Sequence, residues 1–105
     1  MNISLDQGRL YVDNYKFCFY EVPNGSSNLP IGNHPVEARL SHNHGRVLPL
    51  AANVGWLGSS SDCAIVLGKV IGRNSLIPDE DAVERLVRSI EATNAADQLV
   101  ILRIT

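Results

Sequence analysis

Apolar and polar positions alternate in two short runs near the start of the chain. Leu10 and Val12 alternate with Arg9, Tyr11 and Asp13, and after Asp13-Asn14 comes YKFCFYEV. A period of two places successive side chains on opposite faces of a strand. Asp and Asn tolerate positive φ, so Asp13-Asn14 suits a tight hairpin turn. In the second strand Tyr15, Phe17 and Phe19 share one face. Lys16, Cys18 and Tyr20 share the other, which Lys16 marks as partly wet and on which Cys18 is a small packing residue. Residues 23–33 form a loop by composition. Val36, Ala38 and Leu40 then alternate with Glu37 and Arg39, a strand with one exposed face. Residues 42–49 read as a second loop, followed by a short strand over 54–57. CAIVLGKVIG, residues 63–72, predicts a buried strand, with Gly68 marking a bulge or a close backbone approach.

The period changes once. Over residues 78–93, Ala82, Val83, Leu86, Val87 and Ile90 fall on one stripe at helical spacing. Pro78 suits the first turn, Asp79, Glu80 and Asp81 complement the positive end of the helix dipole, and Asn94 is a C-terminal stop. QLVILRIT closes the chain as a strand apolar on both faces except at Arg103, hence central. The expectation is one α+β domain over residues 1–105. It is mostly antiparallel β, a small curled sheet or barrel of about six strands with one helix before the last strand.

Composition narrows the function. The 105 residues suit one compact domain, and a formal net charge of −2 argues against nucleic-acid or membrane-surface partners. Two cysteines are too few for a disulfide framework or a four-cysteine zinc site. The N-terminus lacks the pattern of a signal peptide and no apolar run reaches bilayer length, so a cytoplasmic location is expected. His42 and His44 at i, i+2 lack an obvious third ligand in sequence, and no glycine cluster forms a phosphate loop. No metal or cofactor is expected. The stretch that draws notice is Ser59-Ser60-Ser61-Asp62-Cys63, a polar tract running into an apolar strand. Trp56, Ser59, Ser60, Ser61, Asp62 and Cys63 are the candidate binding residues, and Cys63 is the one candidate nucleophile. A nearby carboxylate and burial both disfavour its thiolate.

A series of short motifs runs along almost the whole chain. They are Gly8-Arg9-Leu10, Phe17-Cys18-Phe19-Tyr20, Leu29-Pro30-Ile31-Gly32-Asn33-His34-Pro35-Val36, Leu48-Pro49-Leu50, Asn53-Val54-Gly55-Trp56 and Asp62-Cys63-Ala64-Ile65-Val66-Leu67-Gly68. Their order resembles a family of small domains of unknown function from phages, prophages and other mobile bacterial elements. The paired I-H-x-G-N and G-C-I motifs of that family are similar to those of L,D-transpeptidases, which use a Cys nucleophile and a His base on peptidoglycan cross-links. Here no histidine lies between Asn53 and Cys63, and Asp62 stands where the family has Gly. Only Cys63 carries over, and a base would have to come from elsewhere, with His42 and His44 the candidates.

The expected function is therefore a non-catalytic accessory domain of a mobile element that binds a protein or small ligand. The alternative is a cysteine-dependent transpeptidase or amidase acting on peptidoglycan-like peptides. A third reading is a self-associating module, since strand edges pair readily into homodimers.

Overall fold

Two tight turns start the fold. Gln7-Gly8 joins β1 (Asn2–Asp6) to β2 (Arg9–Val12), and Asp13-Asn14 joins β2 to β3 (Tyr15–Glu21). All four turn residues have positive φ, the conformation that matches the twist of a two-residue hairpin. The computed structural model describes residues 1–23, 29–73 and 75–105. Residues 24–28 of the first expected loop lie outside them.

The remaining elements are β4 (Gly32–Ser41), β5 (Arg46–Ala51), β6 (Gly55–Gly58), β7 (Ile65–Ile71), β8 (Ser75–Pro78), α1 (Glu80–Ala95) and β9 (Ile101–Ile104). Their order across the sheet is β3-β2-β1-β9-β4-β5-β6-β7-β8. β7 also pairs with β3 through Phe19↔Gly68, Tyr20↔Leu67 and Glu21↔Val66. That pairing closes eight strands into a barrel and leaves β8 as a ninth, attached to β7. β9 is central as expected, parallel to β1 and antiparallel to β4. β6 and β7 are also parallel, so the barrel is mixed.

The expectation of about six strands is corrected to nine among the described residues. The three extra strands are β1, β5 and β8. Residues 46–49 of the expected second loop belong to β5, where Pro49 pairs with Ala38 in the ladder and is fully buried. β8 ends in Pro78, which therefore closes a strand rather than opening the helix. The helix starts at Glu80 instead, capped by the Asp79 carboxylate, which accepts from the backbone of Asp81 and Ala82 at 3.1 and 3.4 Å. It continues through Asn94 to Ala95.

The predicted stripe of α1 is buried in full, and the helix packs on β4 to β7. Its side chains join Ile3, Leu10, Leu48, Leu57, Ile65, Leu67 and Leu102 in one core. An eight-stranded barrel has an interior just wide enough for side chains to fill. Cys18 faces this core rather than a wet surface, and burial pushes its thiol up to about 11. The opposite face of β3 is half-buried, with Lys16 over Phe19 and Arg85 over Phe17 at 4.1 and 4.8 Å from the ring centres.

Gly68 sits where β3, β7 and β8 meet, paired with Phe19 on one side and Pro78 on the other. A Cβ there would lie 2.7 Å from Leu76 Cδ2 and press on the Ile77 carbonyl. The expected close approach is thus present. Gly68→Ala is expected to cost about 1–3 kcal/mol through forced displacement of β8. A urea midpoint equal to that of the parent protein would contradict this packing.

Candidate functional site

The site begins with a hairpin turn. Ser41 ends β4, and its carbonyl accepts from the backbone N–H of His44 and Gly45 at 3.2 and 2.8 Å. Gly45 takes φ +65, which lets the chain re-enter the ladder with Arg46 opposite Ser41. The turn folds His44 back against β4, so that its Nδ1 lies 2.5 Å from the Oγ of buried Ser41. His42 stays exposed on the same turn.

A second, tighter excursion supplies the partners. β6 and β7 run parallel, yet only residues 59–64 connect them. Parallel neighbours ordinarily need a crossover of a dozen residues or more. Here the loop doubles back on itself: Cys63 N–H donates to the Ser60 carbonyl and Ala64 N–H to the Trp56 carbonyl, each at 3.0 Å. The fold-back places Cys63 beside Gly58, where a Cβ would come within 2.8 Å of Sγ. Glycine at 58 leaves the thiol its space.

These two turns meet. His44 Nε2 is 3.8 Å from Cys63 Sγ and 2.8 Å from Asp62 Oδ1. Trp56 stands edge-on to the imidazole, with ring centres 6.4 Å apart. Cys63 is 2% exposed, and Asp62 is largely open to solvent. The Ser60 hydroxyl and then His44 hydrogen-bond the Asp62 carboxyl and hold it below the usual carboxylate range. Burial pushes the Cys63 thiol up, and Asp62 adds to this, while the Ser60 backbone and Arg46 oppose it.

A pocket of about 350 Å³ opens beside the thiol, with Pro23, Pro30, Val54, Ser61, Asp62 and Cys63 among its walls. His34 ties the Pro30 wall to Ala52, the residue after β5. Its ring nitrogens reach the carbonyls of Pro30 at 2.8 Å and Ala52 at 2.9 Å, and the side chain is buried. A larger cavity of about 680 Å³ lies elsewhere, bordered by Val36, Leu50, Leu99 and Val100.

Of the residues named from sequence, Trp56, Asp62 and Cys63 gather around His44, and Ser61 lines the pocket. Ser60 supports Asp62. Ser59 turns away and donates to Glu80, which also pairs with Arg46. Ser41 carried no sequence signal, since its part depends on the turn that brings His44 back to it.

The chemistry follows from the proton inventory. With hydrogen on Nδ1 donated to Ser41, the Nε2 lone pair faces the thiol and can take its proton. Asp62 touches the same nitrogen and, as a carboxylate, can only accept. No helix among the described residues is long and apolar enough to cross a membrane. No protein-family model, curated protein or solved structure matches the chain.

Proposed function

We propose that the domain carries out cysteine-dependent acyl transfer, with Cys63 as nucleophile and His44 as base. The observation that carries this reading is the 3.8 Å approach of His44 Nε2 to Cys63 Sγ, with Ser41 on the far ring nitrogen. A nucleophile within reach of a base that a third group orients is the working arrangement of thiol catalysis. The base missing from the segment before Cys63 is supplied by the β4–β5 turn. The adjoining pocket offers room for an acyl group, and the similarity of the resembled family's Cys motif, of which Cys63 carries over, to that of L,D-transpeptidases favours peptide acyl donors.

In the reaction the sulfur bonds to the acyl carbon as the bond to the leaving group breaks. The thiol proton passes to Nε2 and then to the leaving nitrogen or oxygen. A raised thiol pKa fits proton removal during attack better than a standing thiolate. Asp62 must swing off Nε2, which its exposure allows.

A simple ester tests this. Incubation with p-nitrophenyl acetate at neutral pH is expected to place one acetyl group on Cys63, seen by intact mass and peptide mapping. Cys63→Ser should show none. Acetylation confined to Cys18 or to lysines would overturn the reading.

The near-complete burial of Cys63 favours a second reading, an accessory domain of a mobile element that binds a protein or small ligand without turnover. Unreactive Cys63 in a folded protein would promote it.

A further inference from the structure

We infer that His44 Nε2, Asp62 Oδ1 and Cys63 Sγ form a three-donor site for a zinc-type divalent cation. The three atoms lie within 4.8 Å of one another. Bonds of about 2.0–2.3 Å to a tetrahedral zinc place its donors roughly 3.3–3.8 Å apart. Two of the separations, 2.8 Å from nitrogen to oxygen and 3.8 Å from nitrogen to sulfur, bracket that range, and the third, from carboxylate to sulfur, is at most 4.8 Å. Small side-chain shifts suffice, because Asp62 is exposed at the end of a loop.

The proton inventory points the same way. One ring nitrogen faces both an acceptor-only carboxylate and a thiol. A proton on Nε2 satisfies Asp62 and ends its role as acceptor for the thiol. A bare Nε2 serves the thiol and opposes the carboxylate. A divalent cation bonds to all three at once, and thiolate, carboxylate and neutral imidazole balance its two positive charges. Binding would release the thiol proton to solvent.

The far side of the ring is already set for this. Ser41 Oγ lies 2.5 Å from Nδ1 and can accept its hydrogen, the outer contact that metal-binding histidines ordinarily carry, and in that tautomer the Nε2 lone pair is open to the ion. Asp62 and Cys63 both line the pocket, so a fourth position is reachable from it. His42 takes no part. The inference does not depend on acyl transfer, since three such donors bind zinc whether or not the thiol turns over. Where both hold, zinc masks the nucleophile.

The test uses the full chain, freed of metal with a chelator and titrated with zinc or cobalt(II) chloride near pH 7.5. The expected result is one ion per chain, release of about one proton, and a thiolate-to-cobalt absorption band. Zinc should also shield Cys63 from iodoacetamide, a readout that needs no variant. Cys63→Ser should lose the band, and Asp62→Asn should bind at least tenfold more weakly. His42→Ala should bind like the parent, and melting curves of the metal-free variants should show each to be folded. A parent protein that binds no zinc at millimolar concentration would overturn the site, as would binding retained in Cys63→Ser or lost in His42→Ala. Acetylation of Cys63 by p-nitrophenyl acetate is run metal-free, so either proposal can fail alone.

Discussion

Leu86→Asp is expected to unfold the domain or bring it close to unfolding. Leu86 is fully buried on the inner stripe of α1 and belongs to the core that fills the barrel. An aspartate there removes apolar packing and leaves a carboxylate with no partner in the core. An uncompensated buried charge costs about 3–5 kcal/mol, against a total stability of roughly 5–15 kcal/mol for a domain of ordinary size. The loss should appear as a fall in urea midpoint, or as a collapse of the cooperative transition. A melting temperature unchanged within error would show that the helix does not pack on β4 to β7 as described.

The second large effect concerns chemistry rather than stability. His44→Ala is expected to slow acylation of Cys63 by roughly 100- to 10,000-fold at neutral pH, the range that a positioned general base supplies. The substitution removes Nε2 at 3.8 Å from the sulfur and also frees Asp62 and Ser41 from the ring. The carboxylate would then stand beside a thiol that burial already keeps protonated. His42→Ala, on the same turn but exposed, should leave the rate near that of the parent. Equal losses in the two variants would mean that the turn matters and the imidazole does not.

The parts of this fold legible in sequence are those written in neighbouring residues. Asp13-Asn14 between two alternating runs marked a hairpin, and Ala82, Val83, Leu86, Val87 and Ile90 marked the buried face of a helix. Gly68 marked a close approach, later found to be that of β8. Pro78 misled because proline suits the first turn of a helix, yet it closes β8, and residues 46–49 read as loop although they lie in β5 with Pro49 in its ladder. Closure through β3 and β7 left no local trace, since it joins segments far apart in the chain. The site divides the same way. The polar tract before Cys63 was visible, and His42 and His44 stood as candidates for its base, but local sequence could not choose between them. Sheet order, β4-β5-β6-β7, carries His44 to a cysteine 19 residues away.

The central claim is that His44 and Cys63 act as a pair. The most direct measurement is the rate of Cys63 acetylation by p-nitrophenyl acetate from pH 5 to 9, in the metal-free parent and in His44→Ala. The parent is expected to react readily at neutral pH, because Nε2 takes the thiol proton during attack. In His44→Ala the neutral-pH reaction should be lost, leaving a slow one that rises only as the thiol itself ionises, above the range of free cysteine at about 8.5. Superimposable profiles from two folded proteins would contradict it.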